Sequence, residues 1–133
     1  MSATLTVRDE TTFAFGGDER EFTLDFPAER VTVRELIRAR VYGEVREYNA
    51  RRPGVFRGLV QPMDTERVLN GFRVREGRRI DAEGQFERAV EAFGRNGFLL
   101  LVDNLQVDDL EETIEVGLGT TVTFLKLVPL VGG

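Results

Sequence analysis

The stretch "TVRELIRARVYGEVREYNARRPG" (residues 32–54) constrains the fold of this chain more than any other. Val33, Leu36, Ile37, Val41, Val45 and Tyr48 recur at helical spacing on one face. That spacing predicts an amphipathic helix, which must bury its apolar face against another layer. Thr32 followed three residues later by Glu35 forms a capping box, in which each side chain satisfies an amide that the first turn leaves unpaired. Gly43 interrupts the run at a cost of about 1 kcal/mol relative to alanine and admits a bend or break there. Pro53-Gly54 closes the segment.

The layer that receives the helix is predicted to be a sheet, because strand patterns flank it on both sides. "TLTVRDETTFAF" alternates apolar residues at Leu5, Val7, Phe13 and Phe15, the period of a half-buried strand. "GGD" at residues 16–18 is a turn that tolerates positive φ. "REFTLDF" alternates on Phe22, Leu24 and Phe26 before Pro27 stops it. Beyond the helix, residues 55–80 carry Val55, Phe56, Leu59, Met63, Val74 and Ile80 without a clean period. They are too apolar for a disordered linker and read as short packed strands or turns. A second helix follows, with Asp81 as N-cap, an apolar face at Phe86, Ala89, Val90 and Phe93, and a left-handed end at Asn96-Gly97. "FLLLVDNLQV" is a continuous apolar strand, expected to be buried on both faces, that turns at Asp103-Asn104. "TTVTFLKLVPL" is the last strand. The order predicts a single α+β domain over residues 1–133, with the main helix packed on one sheet face.

Composition removes several chemistries. Among 133 residues there is no cysteine and no histidine, which excludes disulfides, cysteine nucleophiles, histidine bases and zinc sites built on either residue. Serine occurs only at Ser2, so a serine triad has no nucleophile to use. No metal ligand set and no catalytic residue is assigned. A net charge of −5 argues against a general nucleic-acid binder. No apolar run approaches the ~20 residues needed to span a bilayer, and no signal peptide is read before the first strand, so the expected setting is the cytoplasm without membrane association. Lys126 is the only lysine, an arginine bias that genomic composition accounts for.

Two segments carry a resemblance. "FTLDFPAERVTVRELIRARV" looks like the second strand and helix of ubiquitin-like β-grasp proteins. "FLLLVDNLQVDDLEETIEVGLGTTVTFLKLVPLVGG" looks like their closing unit, in which a strand, a tight turn and a short strand lead through a loop into the last strand and a diglycine. With the first strand, these cover roughly half to two-thirds of the chain. The chain therefore resembles the ubiquitin-like β-grasp superfamily, in particular bacterial ubiquitin-like modifiers, and ends like the sulfur carriers of molybdopterin and thiamin synthesis. The departure is an insertion over residues 51–97, which carries the second helix and which a minimal β-grasp lacks.

The resemblance implies that the tail, residues 129–133, is the reagent. The α-carboxylate of Gly133, with an ordinary pKa of about 3.5, is ionised at neutral pH. It would attack the α-phosphate of ATP held by an adenylating enzyme, giving an acyl-adenylate. Gly132 and Gly133 suit a narrow site because a backbone without Cβ approaches close walls. Pro129 ends strand pairing, and Leu130 and Val131 either dock as an extended peptide or finish the sheet. The tail is expected to be mobile. The protein is then not an enzyme and binds no cofactor, and ATP belongs to the partner. A target amine would take the activated carboxyl in an isopeptide bond, with a conjugating enzyme and a deconjugating metalloprotease as further partners. Conversion to a thiocarboxylate, as in a sulfur carrier, uses the same carboxyl. A non-conjugated interaction or assembly module is a third reading, and it predicts that the glycines are dispensable. Of the other motifs, "DDLEE" (108–112) reads as a solvated acidic loop, "RVREGRR" (73–79) as an exposed rim, and "GLGTT" (117–121) as a turn, since it lacks the lysine and helix of a phosphate loop.

Overall fold

The computed structural model describes residues 3–11, 19–68 and 71–127. In chain order these form β1 (Ala3–Thr11), β2 (Arg20–Phe26), β3 (Arg30–Thr32), α1 (Val33–Arg51), β4 (Val55–Phe56), β5 (Glu66–Val68), β6 (Gly71–Arg73), α2 (Ala82–Gly94), β7 (Phe98–Val102), β8 (Leu105–Val107), β9 (Thr113–Glu115) and β10 (Thr121–Lys126). The protein is α+β, with a mixed sheet and two helices. No helix among the described residues is long and apolar enough to cross a membrane. The chain gathers into two compact units, Met1–Glu35 with Phe93–Gly133, and Leu36–Ala92. The second unit is thus larger than the 51–97 insertion, and its boundaries fall inside both helices.

The first unit is built on a five-stranded sheet of order β2-β1-β10-β7-β8. β1 and β10 run parallel, with Val7 opposite Val122 and Asp9 opposite Phe124, and every other pair is antiparallel. Alternation places Leu5, Val7, Val122, Phe124, Phe98 and Leu100 on one face, all of them buried. The rings of Phe93, Phe98 and Phe124 follow one another at centroid spacings of 5.8 Å. The opposite face carries Thr4, Thr6, Thr121, Leu125, Leu99 and Leu101, all partly exposed, around the buried Thr123. This corrects the expectation for "FLLLV": β7 is buried on one face only, because its second face joins a threonine-rich outer surface. Asp103 and Asn104, with φ of 49° and 71°, make the predicted tight turn to β8.

A two-stranded ribbon, β3 with β9, was not predicted. Val31 and Ile114 face each other in it and are both buried. The ribbon brings the acidic loop to the start of α1, where the Leu110 and Glu112 carbonyls accept the amides of Arg34 and Val33, each at 2.9 Å. The Thr32 hydroxyl accepts the Glu35 amide at 3.1 Å, so one arm of the capping box is present. Glu111 holds Arg34 through Nε and Nη2 at 3.0 and 2.6 Å. These contacts satisfy three of the four amide groups that a helix start leaves open.

In the second unit α1 continues without interruption past Gly43, so the bend or break admitted from the sequence does not occur. A Cβ at Gly43 would meet nothing within 4 Å, while Val41 and Val45 on either side are buried and hold the helix straight through. The helix ends at Arg51, with Arg52 in the left-handed region at φ 46°. The 55–80 segment forms the predicted short strands, a three-stranded sheet of order β4-β6-β5. The Tyr48 and Phe56 rings meet edge to face at 5.6 Å. The buried Arg40 is paired with Glu44, whose second oxygen accepts the Leu59 amide at 2.9 Å. α2 is capped by Asp81, whose carboxylate accepts the Gly84 amide at 3.2 Å, and Asn96 takes the left-handed conformation beyond its end.

Leu36 is wholly buried. Truncation to alanine should therefore cost about 2–5 kcal/mol in reversible chemical denaturation. A loss well under that range would mean the site collapses around the missing side chain or that Leu36 is not a core residue in solution.

Candidate functional site

The five residues assigned from the sequence, Pro129, Leu130, Val131, Gly132 and Gly133, lie outside the described residues. So do Phe13, Phe15 and the "GGD" turn. What is described is the support from which the tail departs. β10 is held on both sides, parallel to β1 and antiparallel to β7, up to the register pairs Thr11–Lys126 and Phe98–Lys126. Leu127 follows and is exposed. An interior strand cannot shift without breaking two ladders of hydrogen bonds, so Lys126 is a fixed point of departure.

Next to this strand stands Asp9, a carboxylate on the buried face of β1. Arg20, opposite it on β2, donates Nε to its Oδ2 at 3.1 Å, and the guanidinium lies 5.2 Å from the Phe22 ring centroid. A buried carboxylate requires such a partner, because desolvation otherwise disfavours its charge. Sequence reasoning missed Asp9 although the signal was present: the alternation Leu5, Val7 continues to it and points it inward.

The other motifs take the plain readings. In the acidic loop Asp109 Oδ1 accepts the Glu111 amide at 2.9 Å and Glu111 pairs with Arg34, so the loop serves the helix start. Along the arginine-rich rim Arg73 pairs with Glu66 and Arg78 with Asp64. "GLGTT" closes as a turn through Thr120 N to Gly117 O at 3.1 Å and leaves Leu118 87% exposed. Among the described residues no three acidic side chains gather into a possible metal site.

Within the second unit, Arg38, Tyr42 and Glu83 form a clasp between α1 and α2. The Tyr42 hydroxyl donates to Glu83, Arg38 donates to the Tyr42 hydroxyl at 3.1 Å and pairs with Glu83 at 3.3 Å. The same guanidinium lies 4.4 Å from the Tyr42 ring centroid and 5.2 Å from that of Phe86. The hydrogen bond to Glu83, then burial, raises the Tyr42 pKa above its ordinary 10.0, against the lowering effect of Arg38.

Compared with protein-family models, with characterised proteins and with solved structures, the chain matches none. Its function must accordingly be argued from its own residues.

The Tyr42 clasp has a defined pH dependence. The protonated phenol is the form that donates to Glu83, so the clasp is intact below the ordinary tyrosine pKa and is lost as pH rises through the raised one. Ultraviolet titration of tyrosinate should show Tyr42 ionising late, and Glu83→Ala should return it toward 10.0. An unchanged titration in that variant would rule out the Glu83 bond as the cause. Separately, Arg20→Ala should destabilise the protein by about 1–3 kcal/mol, measured by denaturation, because it takes a charged partner from the buried Asp9.

Proposed function

We propose that the protein is a ubiquitin-like β-grasp protein modifier, whose Gly133 carboxyl is activated by adenylation and transferred to a target amine. The observation that carries this reading is the sheet order β2-β1-β10-β7-β8 with β1 and β10 parallel at its interior. An opening hairpin, a helix and a closing strand threaded between the hairpin and a later strand pair is the arrangement expected of a β-grasp. The strand held on both sides ends at Lys126, and in the sequence the diglycine follows after residues 127–131. The segment 52–81 with its small sheet, and α2 after it, are then additions to the minimal fold.

The chemistry follows from what the chain has and lacks. The Gly133 carboxylate, at the chain end or released there by processing, attacks the α-phosphate of ATP in a partner adenylating enzyme and displaces pyrophosphate. A thiolate or amine then attacks the acyl carbonyl and displaces AMP, and a base takes the proton of an attacking amine. The chain has no cysteine or histidine, so the partner supplies thiolate and base. The chain's own contribution is presentation: β10 fixes where the tail starts, Pro129 lacks the amide donor that would extend pairing, and Leu130 and Val131 give a partner two side chains to read.

The test is removal of Gly133. Deletion moves the carboxylate by one residue, about 3.3–3.6 Å of extended chain, beyond the tolerance of a site that must align it for attack. Expected are unchanged thermal stability and loss of the ATP-dependent adenylate with the cognate adenylating enzyme, read by intact mass and pyrophosphate exchange. Activation of the shortened protein at the full rate would overturn the proposal and favour a non-conjugated module. A thiocarboxylate in place of an amide-linked product would make the protein a sulfur carrier instead.

A further inference from the structure

The second unit contains a groove of about 310 Å³ that the tail chemistry does not use and to which the arginine-rich rim contributes Val74, Arg78 and Arg79. One wall is the α2 face that presents Gly84, Glu87, Arg88 and Glu91, spaced by three and four residues. The other walls are the 62–65 turn and the stretch around Arg78 and Arg79. Its floor is apolar: Val74 and Ile80 are buried, and Met63 stands at the mouth with 63% of its surface exposed. The volume is at the lower end of the range typical of ligand sites, about 300–1,000 Å³.

Connecting loops do not require fixed walls, yet these are pinned by side chains at nearly every step. Gln61 Nε2 donates to the Thr65 carbonyl at 2.8 Å and Thr65 Oγ1 to the Pro62 carbonyl at 2.7 Å. From α2, the buried Gln85 reaches the Val60 carbonyl at 3.1 Å and Arg88 Nε the Gln61 carbonyl at 2.8 Å. Asn49 holds Ile80 through both amide and carbonyl, at 2.9 and 3.0 Å, and Arg78 pairs with Asp64 at 3.3 Å. The groove is therefore preorganised, and ordering it adds no cost at the moment of binding.

Its charge is directional once the engaged groups are set aside. On the loop side Arg78 pairs with Asp64 and Asp81 caps α2, which leaves the exposed Arg79; on the helix side the Arg88 guanidinium is held by the Gln61 carbonyl, between Glu87 and Glu91. We propose that this groove is a docking site for a linear peptide segment of a partner protein, in which an apolar side chain is flanked by an acidic residue on one side and a basic residue on the other. The apolar side chain seats on Val74 and Ile80 beneath Met63, whose flexible thioether adapts to its shape. The acidic flank faces Arg79 and the basic flank faces Glu87. Charge complementarity sets the direction of the bound segment, and the apolar seat supplies most of the affinity. The site does not depend on the tail chemistry, since none of its residues belongs to the tail.

The probe is an end-capped peptide with a leucine pair between an aspartate and a lysine, titrated into the full-length, isotope-labelled protein. Two control peptides carry lysine in both flanks or aspartate in both flanks. Expected are saturable amide shifts confined to residues around 62–65 and 74–91, at submillimolar dissociation constants, with both controls weaker. Arg79→Glu, an exposed change outside the core, should weaken the mixed peptide about tenfold and reverse the order of preference in favour of the double-lysine peptide. Met63→Glu should weaken all three. Absence of saturable shifts, shifts elsewhere on the protein, or binding of the same strength and preference in Arg79→Glu would each overturn the proposal. Amide spectra of the free variants, superimposing on the parent away from the substituted residue, separate lost binding from lost folding.

Discussion

The parallel pairing of β1 with β10 is the constraint on which the first unit depends. Two strands from near opposite ends of the described chain lie side by side, in register from Thr6–Thr121 to Thr11–Lys126. Parallel neighbours cannot be joined by a tight turn, so everything between them must leave the sheet and return. β2 returns at once by a hairpin to one side of the pair, and β7 and β8 close the other side. The long intervening segment is tolerated because loop-closure entropy grows only logarithmically with length. The buried face spanning Leu5, Val7, Val122 and Phe124 supplies the apolar burial that offsets it.

This also explains which features could be read from the sequence. Alternation gave β1 and β2, and helical spacing gave α1 and α2, because burial on one face writes a period into the chain; β10 was read from the apolar run of residues 120–130. The Asp103-Asn104 turn was legible because few residues other than glycine accept its backbone angles. β3 and β9 were not legible, since three residues show no period and their pairing joins positions 31 and 114. β7 was misread because an apolar run does not distinguish a strand buried on both faces from one whose second face is half-covered. Of the candidate site, the tail chemistry came from a resemblance and the described residues end before it. Asp9 could have been found by continuing a pattern already in hand.

The second unit obeys a different logic. Its strands have two or three residues each, too short to supply many ladder hydrogen bonds. The backbone groups between them are satisfied by side chains instead: Asn49 on Ile80, Glu44 on Leu59, Gln85 on Val60, Arg88 on Gln61. No buried side-chain nitrogen or oxygen among the described residues lacks a partner. Polar contacts of this kind have no sequence period, which is why residues 55–80 read only as short packed pieces. They are specific nonetheless, since loss of one partner leaves a buried group unsatisfied.

Arginine is the residue that makes this arrangement possible, whatever the origin of its abundance. The second unit has twelve arginines and no lysine, against nine acidic residues. Among the described residues Arg38, Arg40, Arg51, Arg73 and Arg78 pair with carboxylates. Arg52 and Arg88 reach backbone carbonyls and Arg67 lies over the Phe72 ring. Arg38 does several of these things at once, engaging a carboxylate, a phenol oxygen and two aromatic faces. A planar guanidinium with five donors can make such a set of contacts, whereas the ammonium of lysine is a compact, strongly hydrated point charge with three. The unit's positive excess is therefore largely engaged within its own fold. A lysine at Arg38 or Arg88 would keep the charge and lose the geometry that ties helix to helix and helix to loop.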